Sequence, residues 1–501
     1  MARRSDMAEV ELVEPGGPAA VTTDDEVERA RSAVRDTVRR GLGWVGSHRV
    51  LAAAVVVVLA VLAAVPITRS AQVGRERAAA LAALPSVVAP MAGPPQVAWT
   101  TRSAPGDYVL ANPDRAWVRD GVLILWDQAA NLRQSLRALD ADTGDQLWRA
   151  SLTTAPNLGD PPYLSVDDAT TCVAPGDAVV VCLVPESWSL GAGEDVVGDA
   201  TMVQPTALRL RTFDVATGAV LRDEKVADHA SVVALGGDVV IAETPTADAA
   251  RSSLSRLDPT TGAERWSVPV PREPGSAGSV YAFVRLFGAR IAVGWLGATH
   301  LVTGDGTTSV DYDTDRVSRQ RGHSLTPGLD DSSALLDLDT GRRLQTGESY
   351  LAWIATDDGS EPDLLLLQTD DGLRALDVTT GQTRWTIPMR TSNATTTTLI
   401  ADGRIAVLID GTLQVHDLRS GVEAWRVQGA GEDNRNMVTD GRHAIVLGGD
   451  PRRTTLAAYD LRDGHRAWTI EAPSGLETIA VVDHRLFGVS TAGIVAFTPS
   501  G

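Results

Sequence analysis

Residues 373–385 read LRALDVTTGQTRW, and close copies of this pattern return along the chain from residue 99 to residue 498. Leu373, Ala375 and Leu376 belong to an apolar strand. Asp377 and Thr380 offer side-chain oxygens to the backbone of a turn, and Gly381 supplies the positive φ that such a turn needs. Trp385 then opens the returning strand. A large aromatic at a fixed place in each copy predicts a wedge between neighbouring sheets, since its burial removes about 150–250 Å² from water.

Three features recur in fixed order beyond Gln96, and each counts to eight. The outer-strand Trp is Trp99, Trp148, Trp266, Trp385, Trp425 and Trp468, with Arg222 and Gln345 in its place in two divergent copies. A β-rich run follows a polar turn at 121, 177, 238, 290, 363, 404, 443 and 485. The turn Asp with Gly four residues later comes at Asp140 and Gly144, Asp214, Asp258 and Gly262, Asp337, Asp377 and Gly381, Asp417 and Gly421, and Asp460 and Gly464. The eighth turn has Thr498 where Asp is expected. Because the series starts on a Trp half-repeat and stops on a turn half-repeat, the strand at 97–101 is expected to pair with that at 493–498, leaving no open sheet edge. The fold class is therefore all-β: an eight-bladed propeller of four-stranded blades over 96–501 with N- to C-terminal strand closure, seven blades being the alternative count.

The LDxxTGxxxW repeat resembles that of the pyrroloquinoline-quinone-type propellers, over about four-fifths of the chain. That family includes quinoprotein dehydrogenases and the non-enzymatic propeller lipoprotein of the outer-membrane-protein assembly machinery. The resemblance implies the fold and leaves activity open, since structural and enzymatic members share the motif. It departs from the enzymes at one place: they typically carry adjacent cysteines near the quinone, whereas Cys172 and Cys182 are ten apart.

Upstream, residues 1–22 read as a disordered cytoplasmic tail and 23–49 as a juxtamembrane helix opened by a Thr23–Glu26 capping box. Val50 to Ile67 holds 18 residues without charge, which as a helix span about 27 Å of a roughly 30 Å hydrocarbon core. The Arg excess before this segment places the N-terminus in the cytoplasm and the propeller outside a plasma membrane, with the bilayer as a partner through 50–67. Residues 68–95, interrupted by Pro85, Pro90, Pro94 and Pro95, read as a stalk. The formal charge of −19 lies almost wholly beyond the anchor. An acidic surface repels phosphate backbones, so nucleic acid is not an expected partner.

Few residues suggest chemistry. Cys172 and Cys182 flank a turn and are expected to form a structural disulfide between the first and second strands of one blade. Asp311, Asp313 and Asp315 open like a calcium loop, but Arg316 and Gly322 break its pattern, which leaves a solvated acidic loop. The His residues, among them His229, His416, His443 and His465, are scattered singly, and no cofactor or catalytic group is expected. The repeats are stretched at 153–164, 185–206 and 296–333, all on the face of the second-to-third loops and the blade crossings. Tyr163 and Trp188 are the candidate anchors there. The expected function is a membrane-anchored scaffold that binds a protein or envelope component without catalysis. A small-ligand or glycan carrier and a quinone-dependent dehydrogenase are the alternatives.

Overall fold

A computed structural model describes residues 79–102, 116–128, 134–152, 164–166, 170–190, 201–245, 252–270, 283–287, 290–295, 298–312, 318–328, 331–347, 349–389, 397–409, 411–431, 437–448, 453–490 and 493–499. Among them the strands form nine sheets, not eight or seven, each with four antiparallel strands, and two of them carry a fifth strand paired parallel. In chain order blades one to eight occupy 116–151, 171–226, 229–269, 283–312, 318–345, 349–388, 397–427 and 437–471. Blade nine is built from 476–498 and the returning N-terminal strand Gln96–Arg102. That strand pairs with Gly493–Thr498 from Gln96↔Thr498 to Arg102↔Gly493, which is the expected closure.

The alternation of side chains along each strand sends apolar groups into both neighbouring blades. The buried residues accordingly fall into nine clusters, each shared by two consecutive blades. The cluster of Trp99, Val118, Leu123 and Phe487 joins blade nine to blade one and completes the circuit. The smallest, Ala292, Leu301 and Leu338, joins blades four and five. First strands of neighbouring blades approach one another, so they are the inner strands of the ring.

The blade missed by the repeat count arises from strands within 296–333, a segment expected as a loop. Ala298–Thr303 and Thr308–Tyr312 complete blade four, and Ser318–Gln320 and His323–Gly328 begin blade five. Both sequence markers fail here together. The blade-four turn is one residue shorter, with the Gly306 amide donating to the Thr303 carbonyl at 2.9 Å, so it has no Asp four residues before its Gly. The second strand of blade five carries Pro327 at a register shift and lacks the unbroken apolar run of its neighbours. In blade five the Trp position also moves: the outer strand has no bulge, Leu335 faces Leu344, and Leu344 rather than Gln345 takes the buried place.

Residues 79–95, expected to belong to a stalk, pack on the propeller. After a helical turn at 79–82 the chain makes a parallel bridge from Val87 to Thr439. Leu81, Val87, Val88 and Met91 are buried in the clusters of blades seven to nine. The prolines forbid helix and sheet there, but not docking onto turns that offer hydrogen bonds. The spans expected at 1–22, 23–49 and 50–67 lie outside the described residues. Among the described residues no helix is long and apolar enough to cross a membrane.

Candidate functional site

The repeated Trp, Asp and Gly residues form one device at the blade interfaces. Trp385 donates from Nε1 to the Leu418 carbonyl at 2.8 Å, beneath the turn of the following blade. A Cβ on Gly421 in that turn would lie 2.5 Å from the Trp385 ring. Trp99 stands in the same relation to Ala141 and Gly144, Trp148 to Val215 and Gly218, Trp266 to Gly304 and Gly306, and Trp425 to Leu461 and Gly464. Arg222 fills the position with its guanidinium under Gly262, a flat group that stacks as an aromatic ring does. Trp468 is buried, and its Nε1 has no acceptor among the described residues.

The turn carboxylates accept from the backbone that follows them. Asp377 Oδ1 takes the Thr379 and Thr380 amides at 2.8 Å, and Asp140 Oδ1 the Asp142 and Thr143 amides at 2.9 and 2.8 Å. Asp258, Asp417 and Asp460 do the same in their blades. These donors hold Asp377 well below the usual carboxylate range, the Thr379 hydroxyl foremost. A carboxylate engaged in this way shapes a turn and has little capacity left for acid–base work. His416 and His443 are likewise occupied, on the Gly421 carbonyl at 3.1 Å and the Asp440 carboxylate at 2.8 Å.

Two of the three stretched segments come together on blade two. Its second and third strands, Val179–Leu190 and Thr201–Asp214, run past their own sheet. The inner strand pairs no further than Leu183, and the outer strand no further than Leu208. Beyond those points the two long strands continue as a ribbon, with bulges on either side of Ser187, and Trp188 pairs with Pro205. The crossing from blade one then adds a third strand, Leu164–Val166, parallel to Thr201–Val203. Segments read separately as loops are thus a three-stranded arm on the face of the second-to-third loops. Tyr163 lies outside the described residues.

At the base of the arm Arg209 pairs with Glu186 at 3.2 Å and with Asp223, and the Ser187 and Thr206 hydroxyls meet at 2.6 Å. Cys172 and Cys182 face each other across the first two strands and are disulfide-bonded, pinning the short inner strand below the arm. Residues 153–170 and 185–206 together carry seven Asp or Glu and no Lys or Arg.

Sequence reasoning missed two exposed aromatics near the ring axis. Tyr350 on the inner strand of blade six is 83% exposed, and Trp353 just beyond it 64%. There the chain departs from the repeat: Ile354–Asp357 pairs parallel with the first strand of blade seven, one layer further in. The Arg321 guanidinium, buried in the inner turn of blade five, donates to the Glu361 carbonyl at 3.1 Å and fixes the end of this excursion. The only signal in the sequence was a longer gap between two strands. Asp311 is not in a loop but on the outer strand of blade four, opposite His300, while Asp313 and Asp315 lie outside the described residues. Among the described residues no three His, Cys, Asp or Glu side chains gather as a metal site.

A search of curated proteins finds no match. Among solved structures the chain is similar to BamB from Moraxella catarrhalis, at 15% identity and a TM-score of 0.40, covering 81% of this chain and 98% of that one. It is similar also to a quinohemoprotein alcohol dehydrogenase from Comamonas testosteroni, at 13% identity and a TM-score of 0.36, covering 80% and 76%. A family model described as outer membrane protein assembly factor BamB matches residues 132–342 and 334–485, most of the propeller, and the chain belongs to that family.

Proposed function

We propose that this chain is a membrane-anchored, extracytoplasmic propeller that binds a protein partner of the cell envelope, without catalysis, through the acidic arm of blade two. The observation that carries this is the convergence of two stretched segments into one built protrusion. A rigid scaffold bearing one irregular, charged projection suits recognition, because the strands that hold the fold lie outside it. Seven carboxylates in segments that hold no Lys or Arg, of which Glu186 pairs with Arg209 at the base, favour a partner with a basic patch, bound in a salt-sensitive manner. The anchor follows from the uncharged run at 50–67.

Replacing residues 187–204 by an Asn-Gly turn should leave the melting temperature unchanged and remove the partner recovered by crosslinking in cells. The matched control shortens nothing and alters the turn at Asp417 on the opposite face. Undiminished recovery with the arm removed, or loss only in the control, would sink the proposal. A second role is favoured by one specific observation: Tyr350 on the inner strand of blade six and Trp353 just beyond it stand exposed, where rings can stack on a sugar or similar small ligand.

A further inference from the structure

We infer that residues 81–91 form a clasp that holds blade eight to blade nine, where no hairpin turn seals the interface, and that the ring opens there when the clasp is released. At the other Trp interfaces the outer-strand Trp of one blade is locked by the turn between the third and fourth strands of the next, as Trp425 is by the Leu461 carbonyl of blade eight at 3.1 Å. Blade nine has no such turn. Its third strand, Gly493–Thr498, and its fourth, Gln96–Arg102, come from different parts of the chain. Trp468 of blade eight therefore lacks the acceptor that the other Trp residues have among the described residues.

The clasp laces these two blades together at their inner turns, and its hydrogen bonds alternate between them. The His484 imidazole of blade nine donates from Nδ1 to the Val87 carbonyl at 3.0 Å, and Val88 N donates to the Thr439 carbonyl of blade eight at 2.8 Å. Ala89 N then donates to the His484 carbonyl of blade nine at 2.8 Å, and Met91 N to Asp440 Oδ2 of blade eight at 3.3 Å. Val88 and Met91 lie buried in one cluster with Trp468, Leu476, Val495 and Phe497. The segment thus fills the core of the interface as well as bridging its edge.

Both turns are fitted to this segment. The left-handed pairs Asp120–Gly121, Arg321–Gly322 and Asp402–Gly403 of other inner turns end in glycine, and a Cβ on any of those glycines would meet nothing within 4 Å. In blade nine the second place is His484, at φ 64°. A side chain is disfavoured in that conformation and persists where its surroundings hold it; here the imidazole is the group that holds Val87. In blade eight a Cβ on Gly441 would lie 2.7 Å from the Leu81 side chain, so glycine leaves the room that the segment occupies. Because each blade is held by its neighbours, release of the clasp opens one interface and leaves the distant ones closed.

The test uses the full chain and a thiol reagent under native conditions. Both native cysteines are engaged in the disulfide, so labelling reports the opening of whichever interface carries an introduced Cys. Ala458→Cys lies in the core between blades eight and nine, and Ala242→Cys in that between blades three and four. His484→Gly keeps the left-handed turn and removes the imidazole, and Val88→Ser weakens the packing. With either change, labelling at Ala458→Cys should quicken several-fold, as the loss of one hydrogen bond or one apolar contact allows, while that at Ala242→Cys holds. Unchanged labelling at Ala458→Cys, or an equal rise at both places, overturns the clasp. A second measurement needs no introduced Cys. Trp425→Phe removes a hydrogen bond and Trp468→Phe removes none, so the first should lower the melting temperature more than the second. An equal loss would show that Trp468 is locked as the other Trp residues are, and would overturn the reason for a clasp.

Discussion

At the residue scale the turn glycines separate two physical costs that the repeat combines. Gly421 and Gly121 both have positive φ, at 70° and 77°. A Cβ on Gly421 meets the Trp385 ring at 2.5 Å, whereas one on Gly121 meets nothing within 4 Å. Gly121→Ala should therefore cost about 1–2 kcal/mol from backbone strain alone, and Gly421→Ala about 1–3 kcal/mol more from overpacking. Denaturant unfolding of the two variants gives the comparison, and equal losses would mean that the Trp is no wedge. The turn carboxylates make a second prediction. The Thr143 amide at Asp140, the Thr217 hydroxyl at Asp214, the Thr261 amide at Asp258 and the Ser420 hydroxyl at Asp417 lower those groups, as Thr379 lowers Asp377. A carboxylate depressed on folding contributes stability above its ordinary value of 3.8 and loses it as the pH falls through the folded value. The melting temperature should hold down to about pH 4 and fall below it. The triple variant Asp140→Asn, Asp258→Asn, Asp377→Asn should start lower and fall less, and parallel curves would refute the assignment.

At the scale of elements the ring depends on a strand borrowed from the other end of the chain. Among the described residues Gln96–Arg102 has no other partner strand than Gly493–Thr498, so deleting residues 493–501 removes a ladder and exposes the Trp99 cluster. Several kcal/mol should be lost, since each buried backbone group left unpaired costs about 1–3 kcal/mol. An unchanged melting temperature in the truncated ectodomain would show that closure contributes nothing. The half-repeats at the two ends made this pairing legible, because register follows once strand order is known. The arm was not legible in the same way. Residues 185–206 contain Pro185, Gly191, Gly193 and Pro205, which mark loops by composition. Their ends are strands because they prolong a hairpin already in register.

At the scale of the molecule, the sequence by itself determined the architecture of the blade: an apolar strand, an Asp-to-Gly turn and a Trp that seals the next interface. These are local choices, visible wherever a side chain must meet a backbone group a few residues away. It determined too which two ends close the ring, and that the charge lies beyond the apolar segment. The number of blades was decided only by the tertiary structure. Blade four turns at Thr303 through Gly306 without the Asp, and blade five uses Leu344 and Pro327 where blade six uses Trp385 and an unbroken apolar run, Leu364–Leu367. A divergent blade is held in place by the blades on either side, so it can shed some of its local markers while inner residues such as Leu301 and Leu325 stay buried. The docking of residues 79–95 and the arm were decided in the same way. Val87 finds Thr439 and Leu164 finds Thr201 across sequence distances that no local pattern encodes, because what selects them is backbone left unpaired by the rest of the ring.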